Sequence, residues 1–212
     1  MTGPLRDCRS REQAFDRWLH WIAIAAAPVA VFALLWNARH GNPQVLTGLI
    51  AYGIGLLAMI GCSALYHLCG ASRHKPLFRR FDHAAIFLLI AGTYTPFAVN
   101  GLLGSRGIVL LAWVWTLAML GVAMKFLRPG MLERTSIALY LLLGWSVLAV
   151  LDALMLAVSP GALALLAAGG ILYTIGVVFH LWESLPYQNA IWHGFVLAGA
   201  ACHYAAIVHE IG

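Results

Sequence analysis

Seven apolar runs, each about as long as a bilayer is thick, fill nearly all of the chain and restrict its fold more than any other feature. They cover residues 18–36, 45–66, 83–99, 107–124, 136–158, 161–182 and 190–208. Each is near the ~20 residues that a helix needs to cross a hydrocarbon core. Backbone in that core must satisfy its own hydrogen bonds, so runs of this kind are read as helices. The breaks between them are short, and most hold turn formers: Gly41-Asn42-Pro43, Pro76, Gly101 and Gly104, Pro129-Gly130, Pro160-Gly161 and Pro186. Charged residues make up 10% of the chain, against ~25% in a soluble protein, which leaves no room for a sizeable soluble domain. The expected fold is therefore all-α. A bundle of seven transmembrane helices occupies 18–212, and a mixed-charge amphipathic segment over 1–17 lies on the membrane surface.

Loop charges set the expected orientation. With the N-terminus in the cytoplasm, Arg6, Arg9, Arg11, Arg17, Arg73, Lys75, Arg79, Arg80, Lys125, Arg128 and Arg134 all fall on the inner side. These are eleven of the thirteen basic residues; only Arg39 and Arg106 fall outside. The positive-inside rule selects this topology. The basic residues are divided among short loops, which argues for anionic lipid as their surroundings and against nucleic acid as a partner. Cys8, Cys62, Cys69 and Cys202 form no Cys-x-x-Cys pair and give no disulfide framework. Trp18, Trp36 and Trp182 sit at span ends, where tryptophan anchors helices in the interface.

Against this background a few polar residues stand out. Ser63 and His67 are four apart, on one face of the second span. Asn189 and His193 repeat the spacing on the seventh. Asp82 opens the third span, and His180 and Glu183 close the sixth. In the seven-span topology all of these fall at one depth, near the cytoplasmic side. Ionisable groups in a bilayer are costly and by default mark a site. A metal ion accounts for their tolerance, since histidine and carboxylate are common zinc ligands. Taken singly, the residues have simpler readings. His67 can be a helix-end histidine, Ser63 can bond back to its own helix, and Asp82 can cap the third span. Glu183 reads as a solvated interface charge. His20, His40, His74 and His209 read as interfacial, His83 as a packing residue, and His203 as a buried, hydrogen-bonded histidine. Asp152 has no assigned partner.

The stretches Ser63-Ala-Leu-Tyr-His67, 81–97 (FDHAAIFLLIAGTYTPF) and 189–204 (NAIWHGFVLAGAACHY) resemble the hemolysin III branch of the progestin and adipoQ receptor family. The resemblance covers nearly the whole chain. It implies a seven-helix fold with an intramembrane zinc near the cytoplasmic face, and relatedness to alkaline ceramidases, which hydrolyse lipid amides. It places the chain in a bacterial inner membrane. It also implies that His67 binds zinc and that Ser63 and Asp82 sit beside it, holding the zinc water. The family's seventh helix carries His-x-x-x-His, whereas this chain has Asn189 at the first position and keeps only His193. An amide oxygen is a weak zinc ligand. The expected metal set is therefore His67, His193 and His180, with Asn189 as a hydrogen-bonding group behind it.

Three functions are open at this point. One is a zinc-dependent lipid hydrolase with Asp82 as general base and Ser63 orienting the water. The second is a non-enzymatic membrane-homeostasis or receptor-like protein in which the metal is structural. The third is a cytolytic pore former, for which no charged stripe or wide polar lumen is visible in the sequence.

Overall fold

A computed structural model describes the backbone of residues 3–70, 72–102, 104–127 and 133–211, and the side chains from residue 11 onward except Glu133. The side chains of Arg6, Cys8, Arg9 and Arg128 and the Pro129-Gly130 turn lie outside the described residues. The elements are α1 (Gly3–Ala38), α2 (Pro43–Leu68), α3 (Lys75–Asn100), α4 (Ser105–Leu127), α5 (Glu133–Gly144), a 3-10 segment (Trp145–Val150), α6 (Leu151–Ala157), α7 (Pro160–Leu181) and α8 (Gln188–Ile211). Seven helical stretches are long and apolar enough to cross a membrane, with Arg134–Ala157 counted as one. The chain is a multi-pass integral membrane protein, and the seven expected spans are present.

Local chemistry starts the helices where the sequence predicts. The Asn42 side chain accepts the Gln44 N–H at 2.8 Å, and Pro43 occupies the first turn of α2, where its missing N–H costs nothing. Ser159 caps α7 by accepting the Ala162 N–H at 3.3 Å. The Glu210 carboxylate accepts the Ser159 N–H at 3.0 Å and ties the start of α7 to the end of α8.

Helices α2 and α3 form the spine of the bundle and carry much of its buried surface. With no hydrophobic drive between helices in lipid, close approach through small residues supplies the attraction. A Cβ on Gly55 would lie 2.9 Å from the Leu88 carbonyl oxygen and 3.0 Å from the Leu89 Cα. From the other helix, a Cβ on Gly92 would lie 2.9 Å from the Ala51 carbonyl oxygen. Helix α1 packs on α2 and α8, and α7 packs on α8. This ring of neighbours brings the N-terminal part of α1 between the end of α2 and the start of α8.

The fifth span departs from the regular helix that its hydropathy suggests. After Gly144 the backbone tightens into 3-10 geometry, and Val150 leaves helical dihedrals at φ −129, ψ 21. The Tyr94 hydroxyl lies inside this break. It accepts the Val147 N–H at 3.0 Å and sits 3.0 Å from the Leu143 carbonyl and 2.5 Å from that of Gly144. A side chain inserted into the ladder is a recognised cause of such breaks. Asp152, unassigned from sequence, pairs with Arg106 at 2.7 Å on the exposed far end of the bundle. The His203 ring hydrogen-bonds the Leu166 carbonyl at 3.2 Å, as its position implied.

The spine can be tested by size alone. Gly55→Leu forces backbone apart and is expected to destabilise by about 1–3 kcal/mol, as overpacking does. Gly61 has nothing within 4 Å of its Cβ position, so Gly61→Leu is expected to stay within about 0.5 kcal/mol of the parent. Thermal unfolding of both variants in one detergent makes the comparison.

Candidate metal centre

Three imidazoles meet at one end of the bundle. They belong to His20 on α1, His67 at the end of α2 and His193 one turn into α8. Ring centroids are 5.0 Å apart for His20–His67, 4.6 Å for His20–His193 and 4.4 Å for His67–His193. One nitrogen from each ring lies within 4.8 Å of the others, close enough for a single metal ion to take all three. His20 and His193 are buried and His67 is half-buried.

A single acidic residue stands behind all three rings. The Asp16 carboxylate contacts His193 Nδ1 at 2.5 Å and His67 Nδ1 at 3.4 Å. Its backbone carbonyl contacts His20 Nδ1 at 2.8 Å. These oxygens only accept, so the closest contacts place a proton on Nδ1 of His193 and of His20. That leaves Nε2 as the lone-pair nitrogen of both rings. A carboxylate or carbonyl behind a ligating histidine fixes its tautomer and raises its basicity in this way.

The opposite edge of the cluster holds Ser63 and Asp82, both buried. His67 Nε2 is 4.0 Å from an Asp82 oxygen. Ser63 Oγ is 3.3 Å from His20 Nε2 and is also a hydrogen-bond partner of Asp82. A hydroxyl has one hydrogen to give. With a metal on His20 Nε2, that hydrogen is left for the Asp82 carboxylate. Three imidazoles, a rear carboxylate and a second carboxylate in front make a donor set suited to a divalent metal.

The structure brings together Ser63, His67, Asp82 and His193, as their shared depth suggested. It corrects the third imidazole. His180 lies outside the group: its ring packs on Trp192 at 4.8 Å between centroids, and its carbonyl accepts the Gln188 side-chain amide. The reason is topological. Helix α8 borders both α7 and α1, and the face that carries His193 turns toward α1. Asn189 is exposed at the mouth of the site, and its backbone N–H donates to Glu12 at 3.4 Å. Sequence reasoning missed His20 and Asp16, taking the first as interfacial and the second as a surface charge. The available signal was their spacing of four, the same spacing as Ser63/His67 and Asn189/His193.

A family model described as Haemolysin-III related matches residues 9–204. The chain belongs to the hemolysin III family. It is 36% identical to hemolysin-3 of Bacillus cereus over 202 residues, which is 95% of this chain and 92% of that protein. It is 33% identical to the hemolysin-3 homolog of Bacillus subtilis (strain 168) over 199 residues, or 93% of each. Monocyte to macrophage differentiation factor of Homo sapiens is 30% identical over 202 residues, covering 92% of this chain and 83% of that one. No solved structure matches. The hemolysin III match spans the whole cluster, from Asp16 to His193.

Metal analysis of the purified protein tests the geometry. His20→Ala, His67→Ala and His193→Ala are each expected to lose the bound ion, and His180→Ala to keep it. Asp16→Asn keeps the ligands but weakens their support, and is expected to lower metal affinity about 10–100-fold. Retention of the ion by His20→Ala would remove α1 from the site.

Proposed function

We propose that this hemolysin III protein is a zinc-dependent hydrolase of membrane lipid amides. The observation that supports this best is the two-sided cluster: Asp16 anchors three imidazoles from behind, and Asp82 with Ser63 faces them from in front. The cluster borders a cavity of about 1390 Å³, larger than most small-molecule pockets, which both Asp16 and Asp82 line. Beyond its mouth the wall is apolar, with Phe97, Leu102, Leu110, Leu151 and Leu163 among its residues. That wall suits an acyl chain and speaks against a water-filled lumen.

His20, His67 and His193 would hold the zinc, and three protein ligands leave the fourth position open. Bound there, zinc lowers the pKa of its water toward ~7 and polarises a carbonyl oxygen. Asp82 would serve as the general base, taking a proton from the attacking water and returning it to the departing amine. Ser63 gives its hydroxyl hydrogen to Asp82 and holds the carboxylate in position. In the net reaction a water oxygen bonds to the acyl carbon and the C–N bond breaks. The amine leaves with the transferred proton, and the products are a fatty acid and an amine. The apolar wall keeps bulk water from the acyl chain. Eleven of the thirteen basic residues favour a cytoplasmic setting for this end of the bundle.

The test is release of free fatty acid from a long-chain N-acyl amine lipid by purified protein. Chelation is expected to abolish release and zinc to restore it. Asp82→Asn is expected to lower turnover at least 100-fold while retaining zinc. Full zinc occupancy without fatty acid release would make the metal structural and favour a non-enzymatic homeostasis role.

A further inference from the structure

The cavity also has a lining of cations beyond the histidine cluster, of which Arg79 faces Asp82. Five cations line it from four helices: Arg17 on α1, Lys75 and Arg79 on α3, Lys125 on α4 and Arg134 on α5. Asp16 and Asp82 belong to the histidine cluster. Apart from those two, Glu183 is the one acid lining the cavity among the described residues. Membrane topology explains why basic residues lie at this end of the bundle. It does not explain why five of them line one cavity.

One corner of the mouth is built rather than merely charged. Lys125 is half-buried, and its ammonium donates to His83 Nδ1 at 3.2 Å. The Tyr140 hydroxyl donates to the His83 backbone carbonyl at 2.8 Å. These contacts join α3, α4 and α5 beside Asp82. Because Nδ1 accepts from an ammonium, His83 carries its own proton on Nε2 and remains a donor there.

We propose that the cavity binds an acyl lipid whose headgroup carries a phosphate, with the phosphate held among Lys125, Arg79 and Arg134. This rests on the reading of the cavity as an acyl-chain site. It names the class of lipid that enters. A carboxylate offers two oxygens in one plane and a single charge. A phosphate monoester offers three terminal oxygens and up to two charges, which matches cations approaching from several helices. The chain lies along the apolar wall, and its first carbonyl reaches the level of Asp82 while the phosphate stays at the mouth.

The test is equilibrium binding of three radiolabelled lipids of one chain length to the full protein in a nonionic detergent. The lipids are a lysophosphatidate, the fatty acid and the uncharged monoacylglycerol. Lysophosphatidate is expected to bind at least about tenfold tighter than either of the others, and the preference to shrink as salt rises. Lys125→Gln/Arg134→Gln is expected to remove most of that preference, and a thermal transition like the parent's reports that the variant is folded. Should that variant fail to fold, the salt dependence of the parent protein decides. The preference is expected to survive removal of the metal by chelation, because the cations and not the ion hold the phosphate. Equal affinity for lysophosphatidate and monoacylglycerol overturns the proposal. So does fatty acid binding as tightly as lysophosphatidate, a preference insensitive to salt, or a preference lost with the metal. Binding is read without turnover, so failure of the hydrolase reading leaves this result independent, and the reverse also holds.

Discussion

The Asp16 carboxylate is the interaction on which the rest of this site depends. It is a buried acid in an apolar bundle. An isolated ion there costs several kcal/mol even after local relaxation. Asp16 escapes that cost through the N–H groups of imidazoles from α8 and α2, and its own backbone carbonyl holds a third ring from α1. The dependence is mutual. The rings of His193 and His20 are each held in one tautomer with Nε2 turned away from Asp16, and one nitrogen from each of the three rings lies within reach of a common ion. Removing the acid would leave three buried rings with no reason to share an orientation. Removing a ring would leave the acid short of a partner.

Helical geometry turns this local chemistry into a constraint on the bundle. Asp16 and His20 on α1 are one turn apart, and Ser63 and His67 on α2 have the same spacing. Each pair therefore presents two groups to the same neighbour. Helix α1 must lie against both α2 and α8 for the groups to meet, and its packing follows that requirement. The α2–α3 spine then fixes Asp82 opposite His67, because Gly55 and Gly92 let the two backbones approach without play. A site this polar is tolerated in a membrane because every member has a partner and because it lies at one end, where the cavity opens.

Seven spans were legible because a bilayer imposes a length and a composition that few other structures share. Ser63, His67, Asp82 and His193 were legible for a related reason: polar groups at matching depths in apolar helices are rare. His20 and Asp16 were not read correctly because the first span begins among charges. Arg11, Glu12 and Arg17 surround Asp16 and make it look like one more surface residue. Burial, which decides the matter, depends on what packs against that face, and sequence does not show this. The break in the fifth span was hidden for the same kind of reason. It comes from the Tyr94 hydroxyl, contributed by a residue some fifty positions away.

The substitution at Asn189 ties these points together. Family resemblance leads to an expectation of two histidines one turn apart on the last helix, and this chain has one. A search for the missing imidazole along the chain leads to His180, which shares the right depth and follows from a short turn. Depth is only one coordinate of a bundle, however, and the other is angle about its axis. His180 lies beside Trp192 on the α7 side of α8, while the Asp16 contact turns His193 toward α1. The third ring comes from α1, which lies on that side, and belongs to His20. His20 carries its own anchor, since the Asp16 carbonyl that holds it belongs to the residue that contacts the other two rings. One residue therefore contacts all three rings, which is how three imidazoles meet here with a single histidine on the last helix.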